Sequence, residues 1–458
     1  MNYISPTAVG DNAEFVTPIG LAFTVLMSLL LLTLPRRKAL APVIVLICFM
    51  TMGERIVLGG LNFTMIRILL FFGWMRLISR GELRGMKWCW ADTFVVAWAV
   101  IRTLNYTLVW GTTDAFINRM GHAYNALAAY FLFRFLVRDE EDVFTTIRQL
   151  ALAVGPLALI MMNEKITGRN LFAALGGVPV ISELRSGVVR CQGPFAHSIL
   201  AGTFGATTVP LFVGMWLRRK STAGLALLAI ASSTLIVYMG GSSGPILAYA
   251  FSMLALSLWF MRKNLSVIRW SIALLLLTLH FVMNSPVWFV IARASVFSGS
   301  TGWYRGFLID MSVRHFNEWW LIGTTAATKW HYYLADVTNQ YLLEGLSGGM
   351  VTMLLFIGIL STSFRSVGLV VRSSTSDPKV KLLAWALGGA LLGHAVSFIS
   401  VSYFDQNIII FYWLLAAIAA LGKLPVAARQ DAGNRNAVRR PVAPPIMWPP
   451  SPETKYSR

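Results

Sequence analysis

The sequence predicts an all-α, polytopic membrane protein, and three observations carry that prediction. Hydrophobic residues fill 56% of the 458 positions and charged residues only 13%, with mean hydropathy +0.64, far from the balance of soluble domains. The apolar residues gather into runs close to the roughly 20 residues that cross a bilayer core. The Lys and Arg residues then cluster between alternate runs, as they do in cytoplasmic loops.

Taken in order, the opening MNYISPTAVGDNAEFV carries Asp11 and Glu14 and no basic residue, so the run after it lacks the charge order of a secretory signal and is read as a retained span. Spans are expected near 17–34, 39–53, 59–78, 89–110, 119–137, 143–163, 197–216, 222–239, 243–261, 267–287, 346–364, 382–401 and 407–424, about 12–13 transmembrane helices in all. Basic connections follow every second one: Pro35-Arg36-Arg37-Lys38, Arg76 to Lys87, Arg134 to Arg138, Arg218-Arg219-Lys220, Arg262-Lys263 and Arg365 to Lys381. This alternation sets the N-terminus outside and the C-terminus inside. The same distribution accounts for the net charge of +19 through anionic headgroups and excludes a nucleic acid partner.

Residues 1–424 therefore form one multi-span domain, and 425–458, basic and rich in proline, form a cytoplasmic tail expected to be disordered. A basic tail of this kind would be a reasonable docking site for partner proteins. Cys48, Cys89 and Cys191 are too scattered for a disulfide framework or a metal site. No internal repeat is visible, which counts against a transporter built from inverted halves.

Only two external connections are long, 163–196 and 292–345, and long ordered connections are usually functional. The first ends SGVVRCQGPFAHSILAG, with Arg190 and His197 at the mouth of a span. They would either grip an anion or anchor the helix at headgroup level. The second is denser, offering Tyr304, Arg305, Asp310, Arg314, His331, Asp336 and Asn339 among Trp303, Trp319, Trp320, Trp330, Tyr332 and Tyr333. Aromatic rings in this number suit sugar faces or the membrane interface. Arg305, Ile309-Asp310 and Val313-Arg314 repeat at helical spacing, which predicts an amphipathic helix on the membrane surface.

Several polar residues fall inside predicted spans: Arg67, Asp92, Arg102, His122, His280 and His394. Ionisable groups there are functional candidates, although Asp92 lies near a span end and a lone histidine on an apolar face is often a core residue. Asp139, Glu140, Glu141 and Asp142 directly precede a helix and complement its dipole, so no metal is expected from them. The 240–245 turn lacks the Lys-Ser/Thr of a phosphate loop.

At these residues the chain resembles the O-antigen ligase and polymerase superfamily, in its exopolysaccharide polymerase branch. The resemblance spans about 190–360. It rests on Arg190-x-x-Gly-Pro-Phe-x-His197, Gly-Ser-Ser-Gly-Pro at 241–245, Arg305 with Leu308-Ile309-Asp310, and Asp336-x-Thr-Asn339-x-Tyr341-Leu-x-Glu344-Gly345. It implies a fold of the membrane glycosyltransferase (GT-C-like) type with a large external loop, placed in the bacterial inner membrane and acting at its periplasmic face. The substrate it implies is a glycan on undecaprenyl diphosphate, used without cofactor or metal, and the partners it implies for the tail are a chain-length regulator and other export-machinery proteins.

The family's two loop arginines, which handle the diphosphate, fall on Arg190 and Arg305. The second loop also supplies substrate contacts, for which Arg314, Tyr304, Asn339, Tyr341, Glu344 and Asp310 are the candidates. Ligases carry His-Asn in the last motif, whereas this chain has Thr338-Asn339, which points from ligase towards polymerase. Two or three guanidiniums would stabilise the leaving diphosphate. Asp336, His331 and His197 stay open as the base. A ligase acting on lipid A core and a flippase for lipid-linked oligosaccharide are the alternatives.

Overall fold

Apolar runs of this length can satisfy their backbone polar groups in a bilayer only as helices or closed barrels, and here they form helices. The computed structural model describes residues 15–58, 61–290, 302–331, 336–404 and 406–422, which hold sixteen α-helices and two small hairpins. Asp11, Glu14, Tyr332, Tyr333 and the tail 425–458 lie outside the described residues.

In chain order the structure runs α1 (Pro18–Thr33), α2 (Ala41–Phe49), β1 (Arg55–Leu58), β2 (Leu61–Thr64), α3 (Met65–Ser79), α4 (Trp90–Trp110), α5 (Thr113–Leu136) and α6 (Glu140–Thr167). After β3 (Glu183–Arg185) and β4 (Val188–Arg190) come α7 (Ser198–Arg218), α8 (Ala223–Met239), α9 (Ser243–Ser257) and α10 (Leu265–Val282). The last third holds α11 (Gly302–Arg314), two single turns α12 (Phe316–Trp319) and α13 (Ala327–Trp330), then α14 (Gln340–Arg372), α15 (Pro378–Ser397) and α16 (Gln406–Gly422).

Each of the thirteen predicted apolar stretches falls on a helix, and eight of the described helices are long and apolar enough to cross a membrane. The others fall short for visible reasons. The 39–53 stretch yields only nine helical residues in α2, about 14 Å against a core of about 30 Å. The 59–78 stretch opens as strand β2, paired in register with β1, so α3 starts at Met65. α5 has the length but carries Asp114, Arg119, His122 and Arg134. α1 and α16, with 16 and 17 residues, are apolar but shorter, whereas the 346–364 span lies on one of the eight, α14, which Gly349 at φ 80°, ψ 174° splits into a short leading segment and a long apolar one.

α7 is buried along nearly its whole length and packs against α8, α9 and α15. α4, α5 and α14 form a second group, and α16, buried on all sides, joins α5 to α14. No residue of α10 is buried.

At one end of the bundle the helix termini are tied by ion pairs. Arg134 closes on Asp92 at 2.7 and 2.8 Å with both side chains inaccessible, and Tyr130 Oη donates to the same carboxylate. Arg76 pairs with Glu82 at 2.8 Å, Arg36 with Asp142, and Arg218 with Glu140 and Glu141. Asp139 caps α6 by accepting the Asp142 N–H, so the acidic run serves the helix start as its position predicts.

Candidate functional site

The opposite end holds the sequence candidates, and its geometry begins with a tight hairpin. Glu183 pairs with Arg190 and Arg185 with Val188, leaving Ser186 and Gly187 as a two-residue turn at φ 50° and 76°. Positive φ at both central positions is what such a hairpin requires. The hairpin delivers Arg190, 4% exposed, to the turn between α8 and α9. There its Nη1 donates to Glu183 Oε2 at 2.8 Å and its Nη2 donates to Ser242 Oγ. Gly241 makes this approach possible. Its φ is 55°, and a Cβ there would lie 3.2 Å from Arg190 Cγ.

From the other long connection, α11 brings Arg305 to the same turn. A Cβ on Gly244 would sit 3.6 Å from Arg305 Nη2 and 2.6 Å from Ser400 Oγ, so a larger residue would push into the guanidinium and the 398–404 connection. α11 forms as its spacing predicts, but its Arg305 edge turns into the protein with Gly306, Leu308, Asp310 and Ser312 instead of lying in solvent. Arg305 is 7% exposed, its Nε has no hydrogen-bond partner, and no carboxylate pairs with it among the described residues. Burial and the field of Arg185 push its pKa down to about 10, so it stays charged at neutral pH.

Two helix N-termini complete the surroundings. α9 starts at Ser243, directly after the turn, and no side chain caps it. α7 starts at Ser198, whose carbonyl lies against Gly240, and is capped by His197, whose Nδ1 accepts the Ile199 N–H at 3.1 Å. Buried guanidiniums beside two helix N-termini form an arrangement suited to an anion.

The remaining candidates divide. Tyr304 donates to the backbone carbonyl of Asp336 at 2.5 Å, which ties the Asp336 loop beside Arg305. The Asp336 side chain is reachable by solvent, yet crowding by the chain around it raises its pKa above the usual carboxylate range. His331 packs edge-on to Phe307. Asp310 is engaged by Arg314 at 2.7 Å and by Trp288 Nε1 at 3.3 Å.

The contacts of the 339–344 motif lie within the fold. Asn339 caps α14 and donates to the Ile399 carbonyl, and Tyr341 donates to the Ala395 carbonyl. Glu344, fully buried, accepts from Trp98 at 2.9 Å and pairs with Arg102 at 3.1 Å. Glu183, Arg185 and Ser400 are not among the sequence candidates, and Ser242 stands there only within the 241–245 motif. The signal for the first two was Ser-Gly between ELR and VVR, a hairpin pattern.

Fold and candidate site together define a helical protein, with eight helices fit to cross a membrane among the described residues, that converges two buried arginines on one end. No family model matches the sequence, and no curated protein matches it.

Proposed function

We propose that the chain is a membrane glycosyltransferase that polymerises undecaprenyl-diphosphate-linked repeat units at the periplasmic face of the bacterial inner membrane. The observation that carries this reading is Arg305, a buried guanidinium without an anionic partner among the described residues, set against the same turn as Arg190. A buried charge kept without a counter-charge is costly, and a diphosphate would supply that counter-charge. The residues, about 190–360, that resemble the polymerase family are the ones that supply both arginines.

In this mechanism Arg190, Arg305 and the start of α9 bind the diphosphate of the donor. As the bond from the anomeric carbon to the diphosphate oxygen breaks, negative charge grows on the leaving group where these donors already point. An acceptor sugar hydroxyl forms the new bond to that carbon and gives its proton to Asp336. Of the three possible bases, Asp336 suits the role best. Its carboxyl is solvent-reachable with a raised pKa, whereas the Nδ1 lone pair of His197 already accepts a backbone N–H and His331 packs on Phe307.

Reconstitution with a lipid-diphosphate-linked repeat unit tests the proposal. Longer glycans with release of lipid diphosphate are expected. Transfer only to lipid A core would make the protein a ligase, and movement across the bilayer without new bonds would make it a flippase.

A further inference from the structure

A second group of arginines lies outside that site. Arg67 stands in the first turn of α3, Arg102 just past the middle of α4 and Arg119 in the first third of α5; Arg67 reaches α5 at Gly121, where a Cβ would lie 2.7 Å from its Nη2, and all three arginines act on the neighbouring His122. The chain reverses direction between α4 and α5, so Arg102 and Arg119 sit about 12 Å and 9 Å from the same end of the bundle. Their only carboxylate among the described residues is Glu344, 3.1 Å from Arg102.

Arg67 has only neutral acceptors, Asn125 Oδ1 at 2.9 Å and the Asn62 carbonyl. Arg119 lies with its guanidinium carbon 3.6 Å from the centre of the Tyr106 ring, and its buried Nε lacks a hydrogen-bond partner. Three guanidiniums against one carboxylate leave the cluster about two charges in excess at neutral pH. At the other end of the bundle Arg36, Arg76, Arg134 and Arg218 each have a carboxylate.

Beside Arg119 on α5, Phe116, Ile117 and Met120 are apolar and exposed. A cationic cluster beside exposed apolar residues fits a phosphate carried on a lipid, with the head at the arginines and the chain along α5.

We infer that Arg67, Arg102 and Arg119 form a second anion site, distinct from the Arg190 and Arg305 site, which binds a phosphate or diphosphate group from the side of the bundle. Glu344 holds Arg102 in place and competes with the ligand. The inference does not depend on the reaction proposed above.

The test uses the full chain in an uncharged glycoside detergent, carrying Arg305→Gln so that the first site is weakened. Inorganic diphosphate and dioctanoyl phosphatidate are titrated separately, and tryptophan fluorescence reports binding. Both are expected to bind. Adding Arg119→Gln should weaken binding about tenfold, the size of one lost charge-assisted contact. Arg119→Lys should keep most of it, and Glu344→Gln should tighten it severalfold.

Phosphatidate binding more tightly than diphosphate identifies a lipid headgroup as the ligand, and the reverse identifies a soluble phosphate. Melting temperature and gel-filtration profile separate lost binding from lost folding. Binding that vanishes with Arg305→Gln alone, or that Arg119→Gln leaves unchanged in a folded chain, overturns the inference.

Discussion

The two ends of this bundle treat buried arginine in opposite ways. At one end Arg134 has Asp92, Arg76 has Glu82, Arg36 has Asp142 and Arg218 has Glu140 and Glu141, and the pairs link helix termini far apart in the chain. At the other end Arg190 donates to the partly exposed Glu183 and to the Ser242 hydroxyl, and Arg305 has no carboxylate among the described residues. A matched pair fixes helix positions, and removing one partner strands a buried charge. An unmatched guanidinium does no comparable work for the fold, and its burial makes sense once an anion arrives. Charge balance thus separates scaffold from site within one chemical type of residue.

This contrast can be broken by experiment. The largest effect is expected at the paired end. Arg134→Ala leaves Asp92 buried and uncompensated and should cost about 3–5 kcal/mol, read as lost expression or a collapsed melting temperature in detergent. A well-folded Arg134→Ala protein would dissolve the distinction.

Arg190→Ala sharpens the comparison from the other side. It should lower glycan elongation by about 10²–10³. It should cost only about 1 kcal/mol of stability, because Glu183 keeps 31% of its side chain in solvent. Urea or thermal unfolding beside a product assay reads both numbers. Arg314→Ala is the smallest case. With 71% of its side chain exposed, its pair with Asp310 should contribute less than about 0.5 kcal/mol, and melting should barely move.

The helices were legible because their signal is local. An apolar run of about 20 residues reads as a span, and the alternation of basic connections needs no partner. What failed was local too, and smaller: Gly349 interrupts an apolar run without changing its hydropathy, and β2 occupies the start of another. The site was legible as residue types, since Arg190, Arg305 and Asp336 stand out in the two long connections. Their grouping was not. Arg36 meets Asp142 across 106 positions and Trp98 meets Glu344 across 246, so the sequence does not reveal which charges are matched. Arg185 and Ser400 stayed hidden for the same reason, and so did the convergence of Arg67, Arg102 and Arg119.

The most direct test of the central claim is Arg305→Ala, followed in one reconstituted preparation for both melting temperature and elongation of a lipid-diphosphate-linked glycan. The account predicts a melting temperature equal to or above that of the unaltered protein, since a buried unpaired charge is removed, together with loss of elongation. Normal glycan length, or a loss of stability as large as that of Arg134→Ala, would contradict it.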